Sequence, residues 1–222
     1  MSTTAMHGTG TKVGRRRTAV VWCALAGAMT LATGVLSLTS GAQAPRGDGL
    51  RLTPLVATPG GGSVEAVFST RNELDRERWS SVTIHHSGSP FGDPATLDDQ
   101  AREMRLRGLG YHFVIGNGRG MDDGEVHVAY RWLDQLPGAH VAGTASAEYN
   151  RRSIGVCLVG DGDRGTFTDT QIERLAELVA ALCDELGFDS DAVYLHRDLA
   201  GTSSPGRLFP EAAFRERLAS LR

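Results

Sequence analysis

Three histidines stand where side chains of an open sheet can do chemistry. His85 and His86 close the segment WSSVTIHHSG, and His196 follows the apolar run AVYL. Both segments read as strands, and strand ends are where such a sheet presents functional groups. Neighbouring side chains on a strand face opposite sides, and His86 falls in phase with the apolar Val82 and Ile84. His85 is therefore the residue expected in a site, paired with His196. Two imidazoles and one further protein ligand form a catalytic zinc pattern, with the fourth position left to water. Histidines at strand ends also serve as caps or packing groups, so the pair alone leaves both readings open.

The elements that must position these residues alternate along the chain. The segment TLDDQAREMRL places Leu97, Ala101 and Met104 on one helical face. LGYHFVIG and GEVHVAYRW read as strands, and SIGVCLVG is a near-continuous apolar run of the kind a doubly covered central strand shows. Thr168 and Gln171 have the spacing of a capping box. Ile172, Leu175, Val179, Leu182 and Leu186 then share one face, and Gly187 sits where a C-cap glycine belongs. FPEAAFRERLASL closes the chain as a helix with Phe214, Leu218 and Leu221 inward. Strands and helices interleave, so the expected class is α/β, a single domain with a mixed central sheet flanked by helices.

Residues 1–44 read as a signal peptide or an N-terminal membrane anchor. KVGRRR supplies positive charge, Thr18 to Leu38 carries none, and Ala42-Gln43-Ala44 is a small-x-small cleavage pattern. The apolar run is also long enough to span a bilayer, which takes about 20 residues. Either way the body is expected outside the cytoplasmic membrane: periplasmic, envelope-bound or extracellular. Residues 45–73, rich in Pro, Gly and Ser, read as a flexible linker, and 74–222 as the folded domain. Four of the 23 basic residues and none of the 26 acidic ones precede Ala44, so the body is more acidic than the net charge of −3. Acidity argues against nucleic acid and against anionic lipid surfaces, and leaves the N-terminal segment as the only membrane contact. Cys157 in a strand pattern and Cys183 on a helix read as buried apolar side chains rather than a disulfide.

Four stretches in register, IHHSGS, GLGYHFVIGNGRG, GAHVAG with YNRRSIGVCLVGD, and HRDLAGTSSPG, together resemble the N-acetylmuramoyl-L-alanine amidases of the phage-lysozyme and peptidoglycan recognition protein family. The likeness runs from about Trp79 to Phe209. It implies an amidase fold, a muramyl-peptide of peptidoglycan as partner and zinc as cofactor. It makes His85 and His196 metal ligands, and Tyr111 a donor to the developing oxyanion. His140 becomes a groove histidine contacting substrate, and Thr202 the threonine near the reacting amide. Asn150 falls in the substrate-binding region or fixes the start of the central strand, and Asp198 is placed to orient His196.

One position departs from that pattern. The third zinc ligand of active members, Cys or Asp eight residues after the second histidine, is Ser204 here. Thiolate and carboxylate are anionic, whereas a serine hydroxyl is neutral near pH 7 and is not among zinc's usual ligands. Two functions follow: a zinc hydrolase of the MurNAc–L-Ala amide, or a metal-free module that binds muramyl-peptides without cutting them.

Overall fold

The computed structural model describes residues 49–52, 64–143 and 146–222. The apolar segment near the N-terminus lies outside them. Among the described residues no helix is long and apolar enough to cross a membrane.

Six strands form one mixed sheet: β1 (Gly49–Leu52), β2 (Ser81–His86), β3 (Phe113–Ile115), β4 (Val126–Ala129), β5 (Ser153–Leu158) and β6 (Val193–Leu195). Their order is β1-β4-β3-β5-β2-β6. β1 and β3 flank β4 antiparallel, whereas β3, β5, β2 and β6 run parallel. The helices are α1 (Pro94–Glu103), α2 (Tyr130–Leu133), α3 (Ser146–Arg152), α4 (Asp169–Leu186), α5 (His196–Leu199) and α6 (Glu211–Ser220). This is the α/β class, with its mixed sheet flanked by helices, that the alternating pattern implies.

The two-residue period of the parallel strands divides the core. Val82 and Ile84 of β2 point to the same side as Ile154, Val156 and Leu158 of β5, where Leu175, Val179 and Leu182 of α4 and Phe214 and Leu218 of α6 cover them. Burying each such side chain contributes roughly 1.5–3 kcal/mol. Cys157 of β5 faces the other side, in a smaller cluster with Leu97 of α1, Leu109 and Val159. Thr83 and His85, out of phase with Val82 and Ile84, share that second side. The sheet thus keeps its larger apolar layer under α4 and α6 and carries a polar strip on the opposite face.

The helix signals are obeyed closely. Thr168 Oγ1 accepts from the Gln171 amide at 3.0 Å while Gln171 Oε1 accepts from the Thr168 amide at 3.2 Å, and Gly187 closes α4 in the left-handed region at φ 73°. Met104 and Leu221, expected to face inward, are 68% and 46% exposed. Each stands one residue past its helix, where the periodicity no longer fixes direction. Cys157 and Cys183 are free and buried, as expected.

The linker expected over 45–73 is not uniform. Gly49–Leu52 pairs with β4, and Val64–Phe68 forms a 3-10 helix that belongs to the domain. Val67 is buried, and its carbonyl accepts from the Trp132 indole at 2.6 Å. The Arg71 guanidinium forks onto Asp134 at 2.7 and 2.8 Å. These contacts join segments about 60 residues apart, so no local pattern announces them.

Candidate functional site

β2 ends with His85 on the polar face, and the parallel neighbour β6 leads straight into His196 at the start of α5. The two rings lie 4.3 Å apart, centroid to centroid. Tyr111, just before β3, stands 5.2 Å from His85, and His140 stands 4.9 Å from it. Four residues distant in sequence thus share one patch, with His85 and His196 at the carboxyl ends of β2 and β6. A surface cleft of about 800 Å³ lies elsewhere, between α4 and α6, and none of these four lines it.

His140 is buried, and both of its nitrogens are engaged. Nε2 bonds the Ser153 carbonyl at 3.1 Å, and Nδ1 lies 3.0 Å from His85 Nε2. Its ring fits only because two residues lack side chains. A Cβ on Gly155 would come within 2.5 Å of the ring, and one on Gly138 within 2.3 Å. His140 is therefore built into the sheet face, with its two nitrogens held by Ser153 and His85. Asn150 is likewise committed. Its Oδ1 accepts from the amides of His140 and Val141 at 2.8 and 3.0 Å, and its Nδ2 donates to the Val141 carbonyl at 2.8 Å. These bonds fix the loop that carries His140 and leave one Nδ2 hydrogen of the half-buried Asn150 free.

Burial depresses the basicity of the cluster. The His85 pKa lies well below its ordinary value, first through burial and then through repulsion from His140 and His196. Burial brings His140 down to about 4 and also lowers His196. All three rings are neutral at pH 7. Tyr111 moves the other way, raised by burial, and keeps its proton. Cys157, the strand neighbour of His85, adds to that rise.

The turn carrying Ser204 and Thr202 docks beside β2. Ser204 is buried, and its Oγ accepts from the His86 amide at 3.1 Å. Thr202 is exposed, and its Oγ1 accepts from the Ser204 amide at 3.2 Å. Asp198 is exposed and bonds the Leu195 amide at 3.0 Å, capping α5 rather than orienting His196.

Two residues of the site region carry no motif of their own. His86, on the opposite face, accepts from the Gly162 amide through Nδ1 at 3.0 Å and so ties the 161–163 loop to the end of β2. His112 is buried, accepts from the Gly155 amide at 2.9 Å and bonds the Leu136 carbonyl at 3.1 Å. It extends the row of rings, 5.8 Å from His140. Period two is the only sequence signal for His86, and nothing local signals His112.

The profile of the N-acetylmuramoyl-L-alanine amidase family matches residues 75–207. The chain belongs to that family. Among similar curated proteins is an endolysin of Klebsiella phage KP32, 32% identical over 142 residues, 59% of this chain and 82% of the endolysin. Another is peptidoglycan-recognition protein SC2 of Drosophila melanogaster, 27% identical over 157 residues, 66% of this chain and 76% of that protein. Among solved structures, the amidase endolysin LysCS of Clostridium intestinale superimposes with a TM-score of 0.51 at 22% identity, covering 68% of this chain and 90% of that one, which shows the fold.

Amidases of this family are generally zinc-dependent, so the donor set must be weighed against that ion. Two neutral imidazoles suit it, and His196 Nε2 is buried without a hydrogen-bond partner among the described residues. The third position does not suit it. Ser204 offers a neutral hydroxyl already engaged by the His86 amide. Among the described residues no group of three His, Cys, Asp or Glu could hold a metal ion. The residues present do not make a zinc site of the usual kind.

Proposed function

We propose that this amidase-family chain binds muramyl-peptide fragments of peptidoglycan without hydrolysing them through zinc. The observation that carries this reading is the Ser204 hydroxyl at the third ligand position, bonded to the His86 amide, with Asp198 turned away to cap α5. Binding needs none of the missing charge. The patch offers unprotonated imidazole nitrogens as acceptors and the exposed Thr202 hydroxyl as donor or acceptor. Both suit the amides and hydroxyls of a sugar–peptide. The likeness to a peptidoglycan-recognition protein supports the same ligand class.

The amidase reading has one observation of its own: His196 Nε2 is buried and unpartnered among the described residues, as an imidazole ligand of a metal would be. That favours a site descended from a hydrolytic one, and it is the second reading. For location we infer export, from the basic and then apolar N-terminal sequence and the acidic body.

Calorimetric titration of the full chain with a MurNAc-tripeptide, in chelator and again with added zinc, tests the proposal. Saturable binding in both, with no peptide released, is the expected result. Zinc-dependent release of L-Ala-peptide that disappears in His196→Ala would establish the amidase instead.

A further inference from the structure

The hydrogen bonds around His140 fix more than a ring position. A carbonyl oxygen cannot donate, so in the 3.1 Å contact to Ser153 the proton belongs to His140 Nε2. His140 is buried and no carboxylate acts on its ring, so it stays neutral and its Nδ1 carries a lone pair. The 3.0 Å contact with His85 must then be donated by His85 Nε2. His85 is buried too, again with no carboxylate acting on it, so it is neutral and its own Nδ1 is unprotonated. No hydrogen bond from a described residue reaches that nitrogen.

We propose that His140 is a positioning residue: anchored on the Ser153 carbonyl, it sets the tautomer of His85, so that Nδ1 and not Nε2 is the nitrogen His85 offers to a ligand. A free neutral imidazole exchanges between tautomers and can present a donor or an acceptor. Here the choice is made by a backbone atom of β5, through a ring that Gly138 and Gly155 leave room for. His85 is thereby an acceptor only, and it selects for a ligand N–H or O–H over a carbonyl. The consequence for binding rests on the muramyl-peptide reading; the tautomer does not.

Nitrogen-15 NMR of the histidines at pH 7 in the full chain reads the tautomer directly. The wild-type protein should show His85 protonated at Nε2. In His140→Asn, whose side-chain oxygen can still accept near the former Nδ1, that tautomer should persist. In His140→Ala it should give way to a mixture, and the affinity for MurNAc-dipeptide should fall about tenfold or more. A wild-type His85 protonated at Nδ1, or evenly mixed, would overturn the proposal, and this reading needs no variant to fold. An unchanged tautomer in a folded His140→Ala would overturn it too. If the wild-type tautomer is as expected but MurNAc-dipeptide does not bind, the binding function fails while the role of His140 stands.

Discussion

The hydroxyl oxygen of Ser204 accepts a 3.1 Å hydrogen bond from the backbone amide of His86, one residue beyond His85. An amide N–H aimed at this position would stabilise an anion, and a thiolate would take the same bond with greater strength. Ser204→Cys should therefore gain zinc affinity on the order of 100-fold or more over the parent. Zinc titration against a chromophoric chelator measures it. Equal affinities in the two proteins would show that the third position is not what limits the metal.

Gly155 faces the His140 ring at a distance no side chain tolerates, with a hypothetical Cβ at 2.5 Å. Gly155→Ala must displace a buried ring within a close-packed sheet face. A loss of about 1–3 kcal/mol is expected from overpacking, read as a lowered urea midpoint with unchanged slope.

Acid should destabilise the domain through its buried histidines. The His140 pKa is about 4 when folded, against an ordinary 6.5. Between those values the unfolded chain binds the extra proton, so stability rises with pH across this window. It is complete above about 6.5 and lost as pH falls toward 4. His140 alone accounts for roughly 3 kcal/mol of that range. Urea unfolding at pH 5.0 and 7.5 measures the difference, and His140→Asn should reduce it, leaving the part due to the other buried histidines. A pH-independent midpoint would contradict the burial assigned to these rings.

The 2.6 Å bond from the Trp132 indole to the Val67 carbonyl ties the 3-10 helix to the core. Trp132→Phe keeps an aromatic ring but leaves that carbonyl without its donor. A cost of about 1 kcal/mol or more is expected, seen as a lower unfolding midpoint and faster proteolysis near Val64–Phe68. No change in either would mean that this segment contributes nothing to the domain.

Local rules explain why much of this was legible in the sequence. Strand alternation put His85 and His86 on opposite faces, and the Thr168–Gln171 spacing marked the start of α4, because both depend on neighbours a few residues away. His140 was not legible. Its burial depends on side chains absent at Gly138 and Gly155 and on a carbonyl at Ser153, partners brought together only by the fold. The same holds for Val67 under Trp132, and for the short helices α3 and α5, too brief to show a period. The bonds of Asn150 to the His140 loop likewise have no local signal.

The central claim is that this family member binds without zinc hydrolysis, and one measurement meets it most directly. The full chain, saturated with zinc and then incubated with MurNAc-tripeptide, is assayed by chromatography for free peptide while binding is followed in parallel. The expected result is saturable binding, unaffected by chelator, with no peptide released beyond the protein-free control. Catalytic release of the peptide, abolished by chelator and by His196→Ala, would contradict it.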